Sequence, residues 1–174
     1  MTTASGSLSI PPPRERPATP DRTYGVPAVG GEFIDWDHVI ERLESAKAYW
    51  LVTVTPDGRP HAVPIWGVLV ADDLFLEVGS PSTAKSRNLE ANREIEVHLD
   101  DADDVVIARG TAEPAIPGPS LGAAIAAAMT AKYPDYKPAP TDWDHGGLIR
   151  VVPRTILAWR DMPTATRWRF EDPR

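Results

Sequence analysis

The sequence predicts a mainly β fold: a small antiparallel barrel with helices packed outside it. Three observations predict this. Apolar and polar residues alternate through several short runs, as in REIEVHLD at 93–100, where Ile95, Val97 and Leu99 share one side and Glu94, Glu96 and His98 the other. Turn sequences such as PDG at 56–58 and ADD at 71–73 join the runs closely enough for hairpins. Helical spacing is confined to three segments that interrupt the runs.

Residues 1–30 read as an unstructured or partner-draped arm. They are rich in Pro, Ser, Thr and Gly and too poor in large apolar groups to offset the entropy of ordering. Prolines 11, 12 and 13 also suit a polyproline ligand. The folded domain is expected over 31–174. Its first helix starts at Trp36 with Asp35 as cap, since Trp36, Val39, Ile40 and Leu43 recur at helical spacing, and ends near Lys47.

AYWLVTVT is the first strand, and RPHAVPIWGVLV returns as the second. Pro60 and Pro64 rule out an ordinary central position for it. They imply an edge, a bulge, or backbone that faces a ligand. LFLEVG is the third strand. STAKSRNLEAN is a short helix capped by Ser82 or Thr83. REIEVHLD and VVIARGTAEPA follow as strands, then the Ala-rich helix GPSLGAAIAAAMTAKY, then the strands GLIRVVPRTILAWR and TRWRF.

The chain has 174 residues, 42% of them hydrophobic, which suits one domain with a real core. Its formal net charge of -7 argues against general nucleic-acid binding, which needs many phosphate contacts. Without cysteine there is no disulfide framework, thiolate metal site or cysteine nucleophile. No long apolar run or leader pattern suggests a membrane span or export signal, so a cytoplasmic protein is expected. His38, His61, His98 and His145 lack metal-ligand spacing, and no metal is expected.

Against that acidic background SPSTAKSRNL at 80–89 stands out. If Thr83 caps the helix, Lys85 and Arg87 lie in its first turn. Hydroxyls, free amides and cations there would suit a phosphate. An ordinary capped helix with two solvated cations reads equally from the motif alone. HAVPIW at 61–66 lies one hairpin earlier, so Trp66 could wall a flat ring or simply pack in the core.

With those motifs in view, the chain resembles a known family. The T-x-x-PDGRPH-x-VP-x-W hairpin, the TAKSRNL turn-helix and the end VVPRTILAWRDMPTATRWRF are similar to the pyridoxamine 5'-phosphate oxidase-like flavin-binding split barrels, and to their flavin/deazaflavin oxidoreductase branch in particular. The resemblance spans about 33–170. It implies a six-stranded antiparallel split β-barrel and a homodimer with cofactor sites at the subunit interface. It implies coenzyme F-420 as cofactor, with FMN as the alternative and haem in a few relatives. Lys85 would meet the cofactor phosphate, with Ser82, Thr83, Arg87 and Asn88 around it. Ala62, Val63, Pro64, Ile65 and Trp66 would line the ring, and Trp168 and Arg169 would reach the site from the C-terminal strand.

The implied activity is hydride transfer to a small organic acceptor, or else non-catalytic flavin or haem binding. The His and Arg pair of true pyridoxamine phosphate oxidases is absent after TRWRF, so vitamin B6 oxidation is not expected. No catalytic residue is assigned. His61 is the nearest proton donor, and equally a satisfied strand histidine. Trp159, Trp168 and Phe170 suit either a dimer interface or the wall of a substrate cleft.

Overall fold

The computed structural model describes residues 7–17, 25–27 and 31–170. The elements are β1 (Arg14–Glu15), α1 (Trp36–Ser45), β2 (Tyr49–Val54), β3 (Pro60–Ile65), β4 (Gly67–Val70), β5 (Asp73–Glu77), α2 (Ala84–Ala91), β6 (Glu94–His98), β7 (Val105–Pro114), α3 (Pro119–Lys132), β8 (Leu148–Trp159), a 3-10 turn (Met162–Thr164) and β9 (Thr166–Arg169). All strand pairs are antiparallel, in one sheet.

The sheet runs β1-β9-β8-β7-β6-β2-β3, and β5 joins the first part of β8 and carries β4. Followed around, β3 and β4 are two of its free edges, with β1 the third. Trp66 alone separates β3 from β4 in sequence, so the sheet returns on itself there, as a split barrel. The expected single strand RPHAVPIWGVLV is therefore two strands broken at Trp66. Counting that break and β1, nine strands are present among the described residues, where the sequence pattern implies seven and the family resemblance six.

Local chemistry accounts for these elements. The two prolines of β3 are tolerated because β3 is an edge and pairs only with β2. Gly67 follows the corner because a Cβ there would stand 2.6 Å from the Phe75 carbonyl oxygen. Ala71 and Asp72 both have positive φ, the twist a two-residue hairpin between β4 and β5 requires. The α1 cap falls at Asp35 as expected, although its side chain makes no capping bond.

Inside the barrel, Leu43, Tyr49, Leu51, Leu76, Val97, Val106, Ile156 and Trp168 form the main core. A second cluster packs Ile125 and Met129 of α3 on Val68, Phe75 and Leu148. The outer face of the sheet keeps an apolar band. Register carries it from Pro64 to Trp50, His98, Ile107 and Leu157 on successive strands. Trp50 and His98 stack there at 6.1 Å, nearly parallel.

The sequence assigned residues 1–30 to an unstructured or partner-draped arm; of its two described parts, 7–17 and 25–27, the first lies on this chain's own domain. Leu8 is buried, its N–H donates to the Asp72 carbonyl, and its carbonyl accepts from Trp36 Nε1. Arg14 and Glu15 pair with Trp168 and Arg167 of β9. The Pro11–Pro13 run shows no helix or strand. Residues 1–6, 18–24 and 28–30 of the expected arm lie outside the described residues.

Candidate functional site

The corner at Trp66 and the start of α2 face each other across a cleft of about 330 Å³. Pro64, Ile65 and Trp66 form one wall, and Thr83 and Lys85 the other, with Glu77, Val78 and Gly79 as floor. Five of the twelve residues proposed from the sequence thus meet in one place. They arrive because the sheet closes at residue 66 and because β5 runs straight into the turn before α2.

The α2 side is well fastened. Thr83 is the cap: its hydroxyl accepts from the Ser86 N–H and contacts the Ser86 hydroxyl at 2.7 Å. Lys85 is half-buried, and among the described residues its ammonium has no ion-pair partner. Its charge does reach Glu77, whose carboxyl it acts to lower.

Trp66 is 45% exposed, unusual for a tryptophan. It is held from behind by Tyr133, stacked at 4.7 Å, and flanked by Tyr136 at 5.3 Å. Tyr133 is itself pinned, since its hydroxyl accepts from the Gly67 N–H and donates to the Gly67 carbonyl, both at 3.1 Å. Tyr136 donates to Glu77 Oε1 at 2.8 Å. Glu77 Oε2 is buried with no partner. Burial raises the Glu77 carboxyl above the ordinary carboxylate range, against the pull of Tyr136 and Lys85. Burial likewise raises both tyrosines.

The remaining sequence-proposed residues sit elsewhere. Ser82 is exposed and exchanges hydroxyl contacts with Ser80 at 2.9 Å. Arg87 is exposed and donates to the Ser82 carbonyl, which closes the turn. Asn88 is buried and donates to Thr53 Oγ1 at 2.9 Å, clamping α2 to β2. Ala62 is on the outer sheet face, and Val63 packs partly on the core. Trp168 is 1% exposed and meets Trp36 edge-on at 5.3 Å. Arg169 pairs with Glu15 of β1. Within one chain neither of these last two joins the cleft. His61 lies opposite Thr53 on the β2–β3 ladder and is not part of the cleft lining.

Sequence reasoning missed Glu77, Tyr133 and Tyr136. Glu77 had a legible signal, an acid two residues before Gly79 at the end of an apolar strand. The tyrosines had none, because they follow a helix that begins more than fifty residues after Trp66.

The sequence profile of the pyridoxamine 5'-phosphate oxidase family matches residues 36–160. The chain belongs to the pyridoxamine 5'-phosphate oxidase family. Solved structures share the fold of this family member. A conserved hypothetical protein from Mycobacterium tuberculosis superposes with a TM-score of 0.62 at 21% identity, over 77% of this chain and 89% of that one. A heme binding protein from Mycobacterium smegmatis gives 0.57 at 21%, over 72% of this chain and 53% of that one. An F420 reductase gives 0.52 at 24%, over 67% and 93%. Curated proteins gave no sequence match.

Proposed function

We propose that this pyridoxamine 5'-phosphate oxidase family member is an oxidoreductase that binds coenzyme F-420 in the Trp66–Lys85 cleft and reduces a small organic acceptor. One observation carries the reading: a half-exposed aromatic corner and an unpaired lysine at a helix start face each other across one cleft. The donor set fits a phosphate at one end and a flat ring at the other. FMN shares both features and is the alternative. Among the described residues no histidine lines the cleft, so its lining does not supply the imidazole that most often ligates haem iron.

When bound, a deazaflavin supplies hydride to an activated acceptor; the chain's own residues do the rest. Lys85 supplies a point charge for the phosphate, and Thr83 keeps the α2 start in place behind it. Trp66, fixed by Tyr133, sets the plane against which a ring lies. Tyr136 holds Glu77 Oε1, so Oε2 is the atom of this cleft suited to hold a proton.

The outer apolar band from Pro64 to Leu157 begins beside the cleft and suits a second copy of the chain. A homodimer of cytoplasmic protein with the cleft at its interface completes this reading. Among the described residues no helix is long and apolar enough to cross a membrane. Leu157→Glu on that band should convert the dimer to monomer by light scattering; an unchanged mass sinks the interface.

Titration of purified protein with F-420 and with FMN, followed by absorbance and fluorescence, tests the cofactor. Lys85→Ala should weaken binding by about 1.5–3 kcal/mol if Lys85 holds a charged phosphate. Equal affinity in the variant overturns the reading.

A further inference from the structure

A second cavity shares Val78 and Gly79 with the cleft but none of its recognition groups. It has a volume of about 230 Å³, is open on one side, and is bounded by α2, the end of β7 and residues 145–149. Leu89, Ala112, Leu148 and Ile149 make its interior apolar. For scale, an apolar cavity of about 150 Å³ takes up benzene.

Three features distinguish this cavity from a packing defect. Ile116, on its wall, is 68% exposed, although exposed large hydrophobic side chains are few in the described residues. Arg93, which also lines it, is exposed, and its guanidinium has no ion-pair or hydrogen-bond partner among the described residues. The 145–149 wall is shaped by Gly146 and Gly147, both at positive φ, and the Gly147 carbonyl accepts from the Val78 and Gly79 N–H groups. The cavity thus has a fixed wall, an apolar interior and a free cation.

We propose that this cavity is a second ligand site, for a small amphipathic monocarboxylate whose apolar body lies on Leu89 and Ile149 and whose carboxylate meets Arg93. The monoanion follows from the charges present. Glu90 and His145 also line the cavity, and the Glu90 carboxylate, set against the single guanidinium, opposes a dianion such as a phosphate monoester. A neutral apolar molecule would leave Arg93 unused. The site is independent of the cofactor reading, because Lys85 and Trp66 do not line it.

Isothermal titration of 4-phenylbutyrate into the full chain tests this, with 4-phenylbutanol and inorganic phosphate as comparisons. The carboxylate should bind at one site, roughly tenfold or more tighter than the alcohol, and phosphate should not compete. Arg93→Gln should erase the preference for the carboxylate over the alcohol. Ala115→Trp should fill the cavity and abolish binding. Ile116→Ser, on an exposed side chain, should weaken binding several-fold and serves if the bulky variant does not fold. Lys85→Gln should leave affinity unchanged. Absence of binding, equal affinity in the Arg93 and Ile116 variants, competition by phosphate, or loss of binding in Lys85→Gln would each overturn the proposal. The last would put the ligand in the cleft instead.

Discussion

Trp66 and Trp168 are the same residue type, both proposed from the sequence to meet the cofactor, and the fold treats them oppositely. Trp66 stands at the corner where β3 ends and β4 begins, 45% exposed, with one ring face given to Tyr133. Trp168 lies in β9 between β8 and β1, 1% exposed, edge-on to Trp36, whose ring also meets Phe170. What separates them is position relative to a sheet edge. A tryptophan inside a ladder, on its inward side, is consumed by packing. One at a break in the ladder keeps area for something else.

The largest expected effect comes from the buried member. Trp168→Ala should cost about 3–5 kcal/mol in denaturant unfolding, while the folded fraction keeps its cofactor affinity. A comparable loss of affinity in folded protein would mean that Trp168 reaches a site after all. Next is the clamp between α2 and β2. Asn88→Ala leaves Thr53 Oγ1 without its buried donor and should cost about 1–3 kcal/mol. Pairing Asn88→Leu with Thr53→Val should recover much of that, since no polar atom is then stranded. If Asn88→Ala instead weakens cofactor binding at full stability, Asn88 belongs to the phosphate site.

Trp66→Ala should cost only about 1 kcal/mol of stability, for the stack with Tyr133, yet lower cofactor affinity. This is the reverse of the Trp168 pattern, and the contrast fails if both variants unfold alike. The smallest effects are in pH dependence. The Glu77 carboxyl is raised in the fold, so its contribution is full below the unfolded value of 4.5 and is lost as pH rises through the folded one. Glu77→Gln should therefore gain stability relative to the parent near pH 7 and little near pH 4, read from melting midpoints. Lys132 is lowered by burial to about 8. Between about pH 8 and pH 10 the unfolded chain binds more protons there, so stability should rise with pH. Lys132→Met should flatten that slope; an unaltered slope would assign it to another group. The buried Tyr49 is raised and acts only above its ordinary value of 10, in the opposite sense.

The same logic explains what the sequence disclosed. Strands announced themselves through period-two patterning, and their ends came within about two residues because the turns carry their own chemistry at Gly58 and at Ala71–Asp72. Of the three readings the β3 prolines left open, an edge, a bulge or backbone facing a ligand, the edge is found. The break at Trp66 was hidden, since apolar residues continue on both sides of it and only the close approach of Gly67 to Phe75 forces it. The pairing of Lys85 with Trp66 across one cleft follows from two neighbouring hairpins. Asn88 and Arg87, expected around a phosphate, bond Thr53 Oγ1 and the Ser82 carbonyl: a polar residue near a helix start serves a ligand or the fold, and no local pattern tells which. Tyr133 and Tyr136 arrive by tertiary packing of α3, which no local pattern encodes.

The short strand β1 has a consequence beyond its two residue pairs. β9 would otherwise end the sheet with a free row of N–H and C=O groups beside an apolar core. Such a row is a template for another chain's strand. Arg14 and Glu15 occupy it, and Glu15 also holds the side chains of Arg167 and Arg169. A chain trimmed to begin after residue 17 would still carry the cleft, but it would expose that row and add strands from its neighbours. The N-terminal segment thus covers part of that row, and a chain begun after residue 17, which also loses the buried Leu8, should be both less soluble and less stable.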